Sequence, residues 1–132
     1  MPDNGLVSLQ SGVSTRETTG RLLAAIADRK LTVFARVDHA AGAASVGLPL
    51  RATEVVIFGN PKGGTPLMQD RQSAGIDLPL KALVWEDADG KAWLTYNDPA
   101  WIARRHGLGE ASEPATKAMA ALLGAIAQDA TR

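Results

Sequence analysis

Apolar residues recur along this chain in two patterns, which together predict five strands and five helices. Short β-rich runs with alternating or continuous apolar positions indicate the strands. The predicted strands are Leu6–Gln10, Leu31–Val37, Thr53–Phe58, Leu80–Trp85 and Lys91–Tyr96. In the second of them, Val33, Ala35 and Val37 share one face by simple alternation. We therefore expect that face to be more buried than the opposite one.

Apolar stripes at spacings of three and four residues, each preceded by a capping residue, predict the helices. Ser14 and Glu17 form a capping box before the first helix. Thr65 is followed by Pro66, a typical cap-plus-proline start, and this third helix is predicted to end at Ala74. The predicted caps are Ser14, Asp38, Thr65, Asp98 and Ser112.

The order of these elements predicts the fold class. Helices separate the first three strands, a polar turn at residues 86–90 joins the last two strands as a hairpin, and two helices follow. The length of 132 residues is typical of one domain. We therefore expect a single compact α+β domain over residues 1–132, with a mainly antiparallel sheet and helices packed on one face.

Composition excludes several classes of function. The chain has no cysteine, which rules out disulfides, thiolate nucleophiles and cysteine-rich zinc sites. It has 14 basic and 14 acidic side chains, so no overall charge attracts it to nucleic acid or to a membrane surface. No apolar run approaches the roughly 18 residues of a membrane span, and residues 1–5 lack a targeting pattern. We expect a soluble, cytoplasmic protein.

The segment from residue 59 to 66 is the most suggestive of ligand binding. Gly63 and Gly64 allow backbone amides to approach a ligand, a helix start follows, and Lys62 adds positive charge. The glycine spacing matches neither a Walker loop nor a dinucleotide fingerprint, so a plain structural turn is the alternative. The candidate ligand-binding residues are Asn60, Lys62, Gly63, Gly64 and Thr65, with Arg36 and His39 nearby.

Asp38 and His39 are the candidate catalytic residues. A carboxylate next to an imidazole can act as an acid–base pair, although adjacent side chains seldom point the same way. In the alternative interpretation Asp38 caps a helix and His39 is exposed. A metal site is not indicated, because the second histidine, His106, has no ligand-like spacing around it. The sequence identifies no cofactor and leaves open whether the protein is an enzyme.

Aromatic and hydroxyl side chains provide weaker candidates. Trp85 and Trp93 either contribute to a pocket or form a cross-strand pair in the predicted hairpin. Ser73 is one of several hydroxyls without a nucleophile elbow, and no histidine has a recognisable triad context around it. A hydrolase is therefore not indicated.

Separated motifs along the chain provide a further indication. They are Thr32–His39, Val56–Pro61, Gly64–Met68, Leu78–Lys81, and Trp85–Asp87 with Gly90–Lys91 and Tyr96–Pro99. In this order they resemble the family known as domain of unknown function 302. The resemblance spans about residues 6–108 and leaves a C-terminal helix, about 113–130, as a possible extension. It implies a compact α+β fold, a small bacterial or archaeal protein and a homodimer, and it implies no established reaction.

Three functions are consistent with these observations. The first is a homodimeric binding protein for a small anionic or amphipathic metabolite, with the glycine-bearing segment at the ligand. The second is an enzyme that uses Asp38 and His39, which requires these side chains to converge with the Asn60 segment in one cleft. The third is a structural homodimeric module with a large apolar interface and no cavity.

Overall fold

The computed structural model describes residues 3–132. Met1 and Pro2, which are part of the amino end considered above, lie outside the described residues. The strands are β1 (Leu6–Gln10), β2 (Thr32–Asp38), β3 (Thr53–Gly59), β4 (Leu80–Glu86) and β5 (Ala92–Asn97). The α-helices are α1 (Thr15–Asp28), α2 (His39–Ser45), α3 (Pro61–Asp70), α4 (Pro99–His106) and α5 (Glu113–Thr131). Short 3-10 helices cover Gln72–Ile76 and Glu110–Ser112.

The five strands form one antiparallel sheet in the order β1-β5-β4-β3-β2. Helices α1 and α5 pack against each other and against this sheet. The predicted α+β class, with an antiparallel sheet and helices on one face, is confirmed.

The core lies between the sheet and these helices. Alternate side chains of the inner strands point toward the helices and are buried, as the two-residue period of a strand requires. The largest fully buried apolar side chains include Leu22 and Ile26 of α1, Val56 and Phe58 of β3, Val84 of β4, Leu94 of β5 and Ile126 of α5. This layer provides the hydrophobic stabilisation of the fold.

Helix α3 begins five residues earlier than predicted. The cap is Asn60, whose Oδ1 accepts a hydrogen bond from the Gly63 N–H at 3.0 Å, and Pro61 is the first helical residue. Pro66 therefore lies inside the helix, and the glycine-bearing segment forms its first turns. The sequence contains two competing cap-plus-proline starts, and the one with the asparagine cap prevails. The helix also ends earlier, at Asp70.

Strand β2 does not alternate as predicted. The pairing register shifts between Val33 and Ala35, which places an irregularity at Phe34. Val33 pairs with buried Phe58, whereas Val37 pairs with Val55 on the opposite face. The three residues expected to share a face are therefore divided between two faces, and all of β2 is exposed because it is an edge strand.

Ser112 is not the side-chain cap that the sequence suggested for α5. Its backbone is already helical, and its Oγ donates instead to Asp70 Oδ2 at 2.6 Å. Asp70 also accepts the Gly109 N–H at 2.8 Å. These two donors, with the hydroxyl the stronger, lower the pKa of Asp70. The contact fixes the end of α3 against the start of α5, which positions one side of the cavity described below.

The predicted hairpin and its tryptophan pair are both present. Trp85 lies opposite Trp93 across β4 and β5, and the stacked rings have centroids 6.1 Å apart. Each indole N–H has a partner: Trp85 donates to Thr95 Oγ1 at 2.9 Å, and Trp93 donates to Asp87 Oδ2 at 2.8 Å. The pair therefore stabilises the hairpin.

Candidate functional site

A half-open cavity of about 470 Å³ lies where α3 begins. Four parts of the chain enclose it. The first comprises residues just before and within β2, and the second comprises the end of β3 together with α3. The third is the segment that leads into β4, and the fourth is α5. The apolar part of its wall is formed by Leu31, Phe34, Met68, Leu78, Leu80, Ala115, Ala118, Met119 and Leu122. Residues 59–65 of the glycine-bearing segment form the rest together with Pro79.

The local sequence explains how the β3–α3 junction lies so close to the cavity. Gly59 ends β3 with φ of +148°, a conformation that side-chain-bearing residues rarely adopt. Asn60 and Pro61 then start the helix at once, which turns residues 62–65 toward the cavity. A Cβ atom built on Gly64 would lie 3.6 Å from Leu78 Cδ1 and 3.8 Å from Met68 Cε. Gly64 thus sits directly against two apolar side chains of the wall.

Phe34 enters the cavity wall because of the irregularity in β2. In a regular edge strand its ring would follow the alternation of its neighbours, but the register shift changes its direction. The ring lines the cavity and is 52% exposed. Such a partly exposed aromatic ring offers apolar contact area to a ligand.

Charge at the cavity is confined to one side chain. Of the seventeen residues that line it, Lys62 is the only one with a charged side chain. The start of α3 contributes few free amides, because Pro61 has no N–H and the Gly63 N–H already donates to Asn60. The cavity therefore combines an apolar wall with a single exposed cation.

The structure brings together five of the seven predicted ligand-binding residues. Asn60, Lys62, Gly63, Gly64 and Thr65 all line this cavity. Arg36 and His39 do not. The Arg36 guanidinium contacts the Glu54 carboxylate at 2.8 Å and lines a separate groove of about 360 Å³, beside α1. The hydrogen bond and charge of Glu54 raise the pKa of Arg36.

Asp38 and His39 are not arranged as a catalytic pair. Asp38 Oδ1 accepts the Ala41 N–H at 2.9 Å and so caps α2, and His39 is the exposed first residue of that helix. Asp38 lines the groove beside α1 together with Arg36, and His39 lines neither cavity. The convergence with Asn60 that the enzyme hypothesis required is not found among residues 3–132.

A second histidine does have a carboxylate and a hydroxyl as partners. His106 Nε2 lies 2.6 Å from Asp77 Oδ2, and His106 Nδ1 lies 2.9 Å from Ser73 Oγ. Arg105 also donates to both oxygens of Asp77. No local pattern predicts this cluster, because Ser73 and Asp77 lie about 30 residues before Arg105 and His106 and on a different element. These contacts hold the end of α4 against the segment before β4.

Within residues 3–132, no three or more histidine, aspartate or glutamate side chains are grouped so that they could hold a metal ion.

The apolar half of the cavity is not predictable from the sequence pattern. Met119 and Leu122 fall on the apolar face of α5, where Met119 is part of the core and Leu122 packs against it, so their pattern indicates core packing and not a cavity. Leu31 and Phe34 were interpreted as ordinary strand residues. Their common role depends on contacts between segments more than 80 residues apart, for which a single sequence carries no signal.

Comparison with family models gives a match over residues 7–127 to "Domain of unknown function DUF302". The chain belongs to this family. The match confirms the resemblance inferred from the motifs, and it extends past residue 108 to include most of α5.

Curated relatives of this DUF302 domain carry the name of a transport protein. "Fluoride-specific ion channel FluC 1" of Brucella suis biovar 1 is 52% identical over 124 residues, which is 94% of this chain and 49% of the relative. The protein of the same name from Brucella abortus biovar 1 is also 52% identical, over 94% of this chain and 46% of the relative. The chain thus spans about half the length of the curated relatives it matches. In the part of the chain that the structure describes, no helix is both long and apolar enough for a membrane span.

A solved structure shares the fold. The crystal structure of an uncharacterised conserved DUF302 protein from Bacillus stearothermophilus superimposes with a TM-score of 0.85 and covers 98% of this chain and 99% of that chain. The sequences are only 16% identical, so this likeness establishes the fold alone.

Proposed function

We propose that this DUF302 domain binds a small molecule in the cavity at the start of α3. The observation that carries the proposal is the meeting of the glycine-bearing segment with a largely apolar cavity of about 470 Å³. Small-molecule sites are usually concave, mostly apolar clefts of roughly 300–1,000 Å³ with few polar groups. Both the size and the lining of this cavity are of that kind.

Filling the cavity from α5 tests the proposal. Ala118 is exposed and lines the cavity, whereas Ala121 is exposed on the same helix and is not part of the lining. The probe is 8-anilinonaphthalene-1-sulfonate, an amphipathic anion whose fluorescence rises in apolar surroundings. We expect Ala118→Phe to weaken its binding at least tenfold and Ala121→Phe to leave it unchanged. Equal binding by wild type and both variants would contradict a ligand site here.

We also propose that the domain forms a homodimer through the open face of its sheet, defined by Val55, Leu83, Trp85, Trp93 and Thr95. The register places these five residues on the face opposite to buried Val56, Val84 and Leu94. Polar atoms on the open face already have partners: Thr95 Oγ1 contacts Ser8 Oγ at 2.7 Å and accepts the Trp85 indole N–H. Such pairing reduces the cost of removing the face from water.

The size of the open face also fits a dimer. Five strands about 4.8 Å apart and about 20 Å long present about 500 Å² per copy, or about 1,000 Å² over two copies, which is about the minimum area expected of a biological interface. We expect light scattering to give a dimer mass for wild type and a monomer mass for Leu83→Asp. The control Val46→Asp, at a residue 70% exposed in the turn after α2, should remain dimeric. A monomeric wild type at tens of micromolar would contradict the proposal.

A cytoplasmic location and a bacterial origin belong to the same proposal. The origin is supported by the relatives, which come from Brucella and Bacillus species. Fractionation of native cells should recover the protein with cytoplasmic markers, and recovery with periplasmic or membrane markers would contradict the location.

A second candidate function is that of an accessory domain to a fluoride channel. The favouring observation is that this whole domain matches only half of proteins named fluoride-specific ion channels. At 52% identity the matching half should share this fold, so we propose that the remaining half conducts the ion. A covalent link would hold the domain at a high effective concentration beside the channel.

Fluoride tolerance separates this candidate from the first. In a strain that lacks its own fluoride channel, the unmatched half of the Brucella suis relative would be expressed with or without this chain. We expect co-expression to raise the tolerated fluoride concentration. If the open face makes the contact with the channel, Leu83→Asp should remove this increase. Equal tolerance with and without the chain would exclude an accessory role.

A further inference from the structure

We infer that the ligand is an amphipathic monoanion, a carboxylate with a medium-length hydrocarbon chain, whose head group lies at Lys62. This inference rests on the proposed ligand site and adds the chemical class of the ligand. It follows from three features of the cavity, which are its apolar wall, its adaptable side chains and its single cation.

The apolar wall determines the body of the ligand. Seven side chains from four segments supply aliphatic or aromatic surface: Leu31, Phe34, Met68, Leu78, Leu80, Met119 and Leu122. A polar body, such as a sugar or a nucleotide base, would lose its hydrogen bonds to water at this wall without replacement. A hydrocarbon body instead gains free energy with every methylene that leaves water.

The side chains of the wall also suit a flexible chain. Met68 and Met119 are unbranched, and methionines fill irregular gaps and adapt to ligands of different length. Gly64 leaves open the space that a Cβ would occupy next to Met68 and Leu78. The wall can therefore adapt to hydrocarbon chains of different length and curvature.

The head group is determined by the polar side of the cavity. Among the described residues that line the cavity, Lys62 alone has a charged side chain. It is exposed, so a ligand carboxylate can remain partly hydrated while it contacts the ammonium group. Thr65 adds a hydroxyl. Because Pro61 has no N–H and the Gly63 N–H is taken by Asn60, a small inorganic anion lacks the ring of amide donors it would need.

A homologous series of ligands tests this class. Hexanoate, octanoate and decanoate, each below its critical micelle concentration, would be titrated calorimetrically into wild-type protein, with octanol as the neutral comparison. We expect the Kd to fall about fourfold per added methylene until the cavity is filled. We expect octanoate to bind several-fold more tightly than octanol, because only the carboxylate contacts Lys62.

Two lysine variants separate the contribution of the ligand's head group from that of its hydrocarbon chain. Lys62→Ala should abolish the preference for octanoate over octanol while the dependence on chain length remains. Lys117→Ala is the matched control, since Lys117 is an exposed lysine of α5 that pairs with Glu113 at 3.3 Å and does not line the cavity. This control should retain the wild-type preference.

The outcomes distinguish this inference from the proposed ligand site. Chain-length dependence with equal binding of octanoate and octanol would overturn the anionic head and leave the site intact. Failure of the whole series to bind, with an anilinonaphthalene signal that Ala118→Phe removes, would overturn the ligand class alone. Failure of both the series and the fluorescent probe would overturn the class and the site together.

Discussion

Gly5 illustrates how a single residue can be fixed by its surroundings in this fold. Its φ is +76°, and a Cβ atom there would clash with the Trp101 indole. We expect Gly5→Ala to lower the free energy of unfolding by about 1–3 kcal/mol, because both the backbone conformation and the packing oppose a side chain. Urea unfolding followed by circular dichroism measures this change.

The control for Gly5 is Gly42, which lies in α2 with no neighbouring atom within 4 Å of its would-be Cβ. Gly42→Ala should raise the free energy of unfolding by up to about 1 kcal/mol through helix propensity. A Gly5→Ala protein as stable as wild type would show that Trp101 is not held against this glycine.

Asp87 provides a second prediction at the residue scale, one that depends on pH. Hydrogen bonds from the Trp93 indole and from the Lys91 and Asp89 amides, the indole first, lower the pKa of this carboxyl group. Since the folded state favours the carboxylate, this contribution to stability is complete above the ordinary aspartate pKa, about 4, and is lost as pH falls through the lowered value.

We therefore expect Asp87→Asn to lose less stability than wild type between pH 5 and pH 3. Unfolding in urea, followed by tryptophan fluorescence at each pH, gives the comparison. Asp28→Asn, at an exposed aspartate that ends α1, should behave as wild type does. The same acid sensitivity in Asp87→Asn and wild type would show that the Trp93 contact does not stabilise the carboxylate.

Residue-scale features were predictable where a single local pattern applied. The cap at Asp38 and the Trp85–Trp93 pair follow from short-range chemistry, and the structure contains both. The start of α3 was mispredicted because Asn60-Pro61 and Thr65-Pro66 are equivalent signals at the level of local sequence. Which of them starts the helix depends on where β3 ends, and that is determined by pairing with other strands.

At the scale of elements, α5 completes the core. It packs on α1, and its Leu123 is only 2% exposed and belongs to the hydrophobic core. Truncation of such a side chain removes its buried surface and leaves a cavity, which usually costs 2–5 kcal/mol. The helix therefore belongs to the folding unit, in agreement with a family match that extends to residue 127.

We expect Leu123→Ala to lower the free energy of unfolding by about 2–5 kcal/mol, measured by urea denaturation. Leu50→Ala, at a leucine 50% exposed before β3, should change it by less than about 0.5 kcal/mol. Similar small effects for both variants would mean that α5 is an appendage and not part of the core.

Strand β2 shows what the apolar pattern of the sequence cannot predict at this scale. Its existence was predicted from β-forming residues, but its alternation was not, because a register irregularity at Phe34 divides the apolar residues between two faces. Such an irregularity depends on the partner strand β3. It directs Phe34 into the cavity wall, so the same feature that defeated the prediction contributes to the candidate site.

At the scale of the whole molecule, the sheet with helices on one face could be predicted because the order of strands and helices permits few other arrangements. The glycine-bearing segment could be chosen as a candidate from its composition. The cavity itself could not, since its wall joins residues near 31, 64, 79 and 119 that meet only in the folded chain. Nor could the sequence determine whether Asp38 and His39 reach the Asn60 segment, because that depends on where β2 and α2 lie in space.

The most direct test of the ligand site is a map of amide chemical shifts in isotopically labelled protein during titration with octanoate. We expect the perturbed amides to cluster at residues 31–34, 59–68, 78–80 and 115–122, the four parts of the cavity wall. Saturable shifts confined to β4 and β5 around Trp85 and Trp93, with the cavity amides unchanged, would contradict the account.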